Sequence, residues 1–168
     1  MATSTTTYLT NPTVTLNPAT GGSIVDLTTL CSSATLTVGY DSLESTSFGD
    51  AGHVFVKGLQ AVEVTLTLYA AYGASSVEAT LFAAVGSGTS VLVLSPAGAT
   101  ESASNPEYTI TNAMLSSFTP ITGSYGELSM IEVTFTGGTF ARDITTPETL
   151  NRKQARHATD HASKYRLG

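Results

Sequence analysis

Apolar and small polar residues alternate along most of this chain. In Ala34–Tyr40, Ala34, Leu36, Val38 and Tyr40 fall on one side, and Thr35, Thr37 and Gly39 on the other. In Val62–Ala70, Val62, Val64, Leu66 and Leu68 alternate with Glu63, Thr65 and Thr67. Glu127–Thr136 repeats the pattern, with Ile131, Val133 and Phe135 against Met130, Glu132 and Thr134. A period of two predicts strands with one buried face, because successive side chains leave a pleated strand on opposite sides. Thr89–Ser95 is a short apolar run stopped by Pro96. Pro106–Ala113 alternates again, with Tyr108 and Ile110 on one face, and Met114–Thr119 continues the sheet. Pro120–Tyr125 reads as a turn, and Gly137-Gly138 ends the last strong strand.

Two segments break the period. Ser75–Ala84 carries Val77, Leu81, Phe82 and Ala84 at helical spacing, with Ser75 placed to cap and Glu78 three residues on. Thr145–Glu148 signals a second helix start, with Thr145 capping toward Glu148 or Thr146 capping ahead of Pro147. The elements sum to six to eight short strands and one helix midway. That predicts an all-β fold, a β-sandwich with one flanking helix. Residues 1–23 read as an N-terminal arm or edge strand, 24–144 as the sandwich, and 145–168 as a basic helical tail.

Asp41–Ala61 fits neither period. It reads as a long connection between two strands, yet it carries Phe48, Val54, Phe55, Val56 and Leu59 among glycines and acids. A hairpin loop needs about two to five residues and no exposed apolar side chains. This segment therefore predicts a second surface that buries it, which is a signature of assembly.

Composition narrows the class. Of 168 residues 41% are hydrophobic and only 12% charged, with many Thr, Ser, Gly and Val, which fits an all-β domain and excludes a disordered chain. No apolar run reaches the roughly 18 residues of a membrane helix. Met1–Tyr8 has no positive or apolar stretch, so no secretory signal is expected. The net charge of −6 is split: residues 1–149 hold two basic against twelve acidic residues, and residues 150–168 hold five basic against one acidic. An acidic body repels phosphate, so sequence-specific nucleic-acid binding is not expected. The tail's Arg152, Lys153, Arg156, Lys164 and Arg166 suit an acidic neighbour.

The search for chemistry returns little. Cys31 is the only cysteine and reads as a small buried hydrophobe ahead of a nucleophile. His53, near Asp50 in a Gly-rich loop, reads as a loop residue ahead of a general base. His157 and His161 share a helical face, but two ligands without a third do not make a zinc site. Ser124 lies in GSYGE, which lacks the hydrolase elbow, and Gly86-Ser87-Gly88 lacks the phosphate-loop lysine. Glu63 and Glu132 admit a carboxylate pair across strands, the arrangement glycosidases use. With no Trp to form a sugar platform, they read instead as part of a polar lining. No catalytic residue, metal or cofactor is expected.

The order of these elements resembles the major tail (tail tube) proteins of long-tailed bacteriophages. The resemblance rests on DSLESTSFGDAGHVFVKGLQAVEVTLTL (Asp41–Leu68), the helix Ser75–Ala84, YTITNAMLSSFTPITGSYGELSMIEVTF (Tyr108–Phe135) and the close at Gly137-Gly138. It covers most of residues 24–138 and leaves out the basic tail. It implies a tail-tube-like sandwich whose copies form rings, usually hexameric, that stack into a hollow tube. The tube would surround a tape-measure protein, pass DNA, and meet tail-terminator and distal tail proteins. The protein would then be made in the host bacterial cytoplasm and sit in the virion. The implied inter-ring loop holds Phe48, Asp50, Val54, Phe55, Val56, Lys57 and Leu59. The implied lumen face holds Glu63, Thr65, Thr67, Glu132 and Thr134. An immunoglobulin-like adhesion or capsid-decoration module remains the alternative, and the apolar Asp41–Ala61 segment discriminates against it.

Overall fold

The computed structural model of the chain describes residues 9, 11–18, 23–74, 76–98 and 100–145. In chain order its elements are β1 (Thr13–Asn17), β2 (Val25–Asp26), β3 (Cys31–Glu44), β4 (Phe55–Tyr69), α1 (Val77–Ala84), β5 (Ser90–Ser95), β6 (Glu107–Thr122), β7 (Met130–Thr136) and β8 (Thr139–Asp143). All strand pairs are antiparallel.

The two layers share one strand. The amino half of β6 pairs with β5 and β8, in a sheet ordered β2-β1-β5-β6 with β8 on the other flank. Its carboxyl half pairs with β7, in a sheet ordered β6-β7-β4-β3. β6 changes layer at Asn112, which stands opposite no residue of β5 and has φ 60°. That is a β-bulge, and Asn tolerates the left-handed conformation it requires. The Pro106–Ala113 and Met114–Thr119 segments are thus one bent strand. It runs on through Pro120–Thr122, so the turn begins only at Gly123.

The core lies between the layers. Val62, Val64, Leu66 and Leu68 of β4, and Ile131, Val133 and Phe135 of β7, are all buried, as their alternation predicts. Each such side chain contributes roughly 1.5–3 kcal/mol by leaving water. Leu92, Ile110 and Leu115 face them from β5 and β6. Val14 and Leu16 join the core from β1, which pairs with β2 and β5. Part of the expected arm is therefore a strand of the body, because its two apolar residues are spaced to point inward together.

α1 packs its Leu81 and Ala84 into the core beside β6. Its N-cap is Ser76, whose Oγ accepts the Ala79 N–H at 3.3 Å, one residue later than the sequence predicts. After the helix, the Gly86 N–H donates to the Leu115 carbonyl at 2.9 Å and ties the chain to β6. Beyond Gly137-Gly138, where the sequence pattern ends, the chain continues as β8 alongside β6. Gly137 and Gly138, both at positive φ, turn the chain from one layer into the other, where Phe140 stacks on Tyr108 at 5.9 Å. The β5–β6 connection is held by Asn105, whose Nδ2 donates to the carbonyls of Thr100 at 2.7 Å and Gly98 at 3.1 Å.

A candidate assembly surface

The expected loop Asp41–Ala61 is mostly strand. β3 and β4 pair through to Glu44 and Phe55, so only residues 45–54 form the turn. Val54, Phe55 and Val56 are consecutive, so this stretch exposes apolar side chains on both faces, and a one-residue slip interrupts the period further. Tyr40 pairs with Gln60 and Ser42 with Lys57, so Gly58 and Leu59 together oppose Asp41. This bulge reverses the parity of β4 and breaks the period in the sequence. β7 pairs with β4 only from Glu63 onward. The Gly137 N–H still donates to the Val62 carbonyl and the Phe140 N–H to Gln60 Oε1, so Phe55–Leu59 project with β3 as a two-stranded arm of roughly 15 Å.

The arm is built stiffly. The Lys57 Nζ lies 3.8 Å from the centre of the Tyr40 ring, whose hydroxyl accepts a 3.0 Å bond from Gln60. At the turn the Ser45 N–H donates to the Val54 carbonyl at 2.9 Å, and the Val54 N–H to the Thr46 hydroxyl at 3.0 Å. That hydroxyl donates to Glu44 Oε1 at 2.8 Å, and His53 Nδ1 meets the same oxygen at 2.6 Å. His53 and then Thr46 hold the Glu44 carboxyl below its ordinary pKa. Asp50 accepts the Ser47 N–H at 2.7 Å and the Ser47 hydroxyl at 2.9 Å, which lower its pKa. On this polar frame Phe48, Val54, Phe55, Val56 and Leu59 all stand exposed, Phe48 completely and Leu59 at 80%.

The outer face of the four-stranded sheet is the second surface. Its register forms three ranks: Thr37, Glu63, Thr136 and Met114; Thr35, Thr65, Thr134 and Ser117; Ser33, Thr67, Glu132 and Thr119. All five residues singled out for a polar lining, Glu63, Thr65, Thr67, Glu132 and Thr134, lie on this one face. Ser117 and Thr119 join them from the half of β6 beyond the bulge; their signal was the serine-rich run after Met114. Glu63 and Glu132 share the face but not a rank. Glu63 opposes Thr136 and Glu132 opposes Thr67, four residues away along β4. That is roughly 13 Å along the strand, beyond the roughly 5–9.5 Å of a glycosidase pair.

The third surface is the pair of sheet edges. Among the described residues β3 pairs only with β4, and the Ser116–Thr122 part of β6 pairs only with β7. Both edges offer unpaired backbone groups, the usual template for joining another chain.

The remaining candidates do not converge. Cys31 is half-buried, its Sγ donates to the Ser33 carbonyl at 3.3 Å, and burial pushes the thiol's pKa up, away from a reactive thiolate. No group of three His, Cys, Asp or Glu side chains among the described residues is placed to hold a metal. No helix among them is long and apolar enough to cross a membrane. Arg152, Lys153, Arg156, His157, His161, Lys164 and Arg166 lie outside the described residues.

Solved structures place the fold. A chain from the sheath/tube terminator of an extracellular contractile injection system, PVC, in its extended state superposes with a TM-score of 0.62 at 13% identity, covering 84% of this chain and 99% of that one. A chain from the sheath–tube complex of the same kind of system gives 0.56 at 10% identity, covering 80% and 89%. A chain from the virion of a native gene transfer agent particle gives 0.54 at 9% identity, covering 79% and 95%. The fold is thus the all-β, tail-tube-like fold found in phage-like tails and injection systems. No protein-family model matches the sequence. No curated protein matches it either.

Proposed function

We propose that this protein is a non-enzymatic structural subunit of a tail tube, self-assembling into stacked rings. The observation that carries the reading is the four-stranded sheet β6-β7-β4-β3, with an apolar face buried under β4 and β7, a Thr/Ser/Glu face and, among the described residues, two open edges. Its strands alternate in direction, so β3 and β6 run oppositely. A copy related by rotation then brings its β6 antiparallel to β3, and the sheet continues around a ring with the polar face inward. Six copies make a barrel of 24 strands, wider than the roughly 16–18-stranded barrels that already leave an aqueous channel.

The lumen would be lined by Glu63, Thr65, Thr67, Glu132 and Thr134. Its partners there are a tape-measure protein and then DNA, which slides past a wall that repels phosphate. The β3–β4 arm, with Phe48, Asp50, Val54, Phe55, Val56, Lys57 and Leu59, would reach the adjacent ring, where its apolar side chains lose their exposure. Tail-terminator and distal tail proteins would meet the two ends of the tube, in the virion. The assembling unit begins at β1 and closes at residue 144, with the basic residues 145–168 as an appendage.

Negative-stain electron microscopy of the purified chain tests the reading. Hollow, regularly striated tubes are expected, and Phe55→Asp is expected to leave a folded monomer that forms none. Monodisperse wild-type monomers at every concentration, also after addition of a tail-tube initiator complex, would overturn it.

A further inference from the structure

Among the described residues the core is closed beneath β4 and β7 and open beneath β3. Val62, Val64 and Leu66 are at most 5% exposed, whereas their rank partners Val38 and Leu36 are half-buried and Ala34 is exposed. Between β3 and the opposite layer runs an apolar groove of about 400 Å³, lined by Leu36, Val38, Val14, Leu94, Tyr108 and Phe140. An apolar cavity of about 150 Å³ takes a benzene ring, so this one has room for an aromatic side chain and its neighbours.

The opposite edge of the same sheet carries a matching projection. Phe82 of α1 is 68% exposed, with Val85 exposed beside it. The Phe82 ring stands edge-on to Phe118 of β6 at 6.3 Å. Phe118 pairs with the buried Val133, so the helix sits on the core side of the sheet, the side on which the groove opens. The heights agree as well: Phe118, Val133, Leu66 and Ala34 form a single rank across the four strands.

We propose that the groove beneath β3 is the socket for α1 of the next copy around the ring, with Phe82 seated among Ala34, Leu36, Tyr108 and Phe140. The inference rests on the ring reading above and adds a lateral contact on the core side. Continuing the sheet from β3 into the neighbour's β6 keeps both core faces on one side. It therefore carries the neighbour's helix over the groove, and one chain cannot fill its own socket with Phe82 from the far edge. Burying Phe82 and closing the groove removes two apolar exposures in one contact.

The test is cysteine cross-linking of assembled protein in a Cys31→Ser background. Phe82→Cys with Ala34→Cys reports the socket; Thr35→Cys with Ser117→Cys reports edge pairing. Each is treated with a short bis-maleimide and run on denaturing gels. Within one chain each pair spans the sheet's width, roughly 14 Å or more. Both pairs are expected to give ladders of linked multimers ending at one closed species. A ladder from the edge pair with monomers only from the socket pair would overturn the socket and leave the ring standing. Monomers from both would overturn the ring reading and the socket with it. Phe82→Glu is a second check: its circular dichroism and thermal midpoint are expected to match wild type while tubes are lost, and normal tubes from it would refute the socket.

Discussion

Gly138 rests against the bulge at Asn112. A Cβ built on the glycine would lie 3.1 Å from the Asn112 carbonyl carbon, 3.0 Å from the Ala113 nitrogen and 2.5 Å from the Thr111 oxygen. This is where β6 passes between layers and where the β7–β8 turn crosses, so one close approach fixes both. Gly138 also has φ +85°. Gly138→Ala combines a backbone clash with left-handed strain and is expected to cost about 2–4 kcal/mol. Gly49→Ala, with nothing within 4 Å of its Cβ, serves as the neutral control. Urea denaturation compares them; equal midpoints would contradict the role of the contact.

The arm depends on a second glycine. A Cβ at Gly58 would meet the Asp41 Cβ at 2.8 Å and the Asp41 carbonyl oxygen at 3.0 Å, and neither can swing away. Gly58→Ala should shift or dissolve the bulge that sets the register of Phe55–Lys57. The body is expected to keep its stability within about 1–3 kcal/mol, the usual range for overpacking, while tube formation falls. Unchanged tube yield by sedimentation would show that the register of the arm does not matter.

Acid should loosen the turn before it unfolds the body. The Glu44 carboxyl is held below its ordinary value by His53 first and Thr46 second. A depressed carboxylate contributes stability that is complete above its unfolded pKa of about 4.3 and fades as pH falls through the folded value. The protection of the amides of residues 45–54, taken against their intrinsic exchange rate at each pH, is therefore expected to fall below about pH 4 in wild type. Glu44→Gln should show lower protection already at neutral pH and lose that pH dependence; identical protection profiles for the two proteins would refute the contact.

The polar face should decide what the tube does with DNA. Glu63→Lys with Glu132→Lys changes the charge of that face by four per copy without touching the core. Tubes of the double variant are expected to retain duplex DNA at low salt and release it as salt rises, since screening shortens to about 10 Å at 0.1 M. Wild-type tubes should not retain it. Equal retention in a co-sedimentation assay would place these residues away from the lumen.

The basic tail is proposed to clamp an acidic neighbour through Arg152, Lys153, Arg156, Lys164 and Arg166. Removing residues 145–168 is then expected to lower the salt concentration at which tubes dissociate, measured by light scattering. Tubes of equal salt tolerance would show that the tail acts elsewhere.

Much of the fold was legible because a strand's period is local. Val62, Val64, Leu66 and Leu68 against Glu63, Thr65 and Thr67 state which face is buried, whatever the partner strand is. The same alternation in Met130–Phe135 let five residues of one polar face be named without knowing that β4 and β7 are neighbours. The apolar side chains of Asp41–Ala61 were likewise legible as an assembly signal, because an exposed apolar cluster is anomalous wherever it lies.

Pairing decided the rest. Whether Phe55–Ala61 is loop or strand depends on which backbone groups of β3 stand opposite it, and the bulge at Gly58–Leu59 exists only in that pairing. β8 looks like a glycine-terminated end until its backbone finds the second flank of β6. The separation of Glu63 from Glu132 is a matter of cross-strand register, which a single strand does not carry. Alternation is encoded residue by residue through the pleat, so the faces are written in the order of residues alone. Register, layer crossing and the groove beneath β3 arise between segments distant along the chain, so they are fixed by how those segments pack.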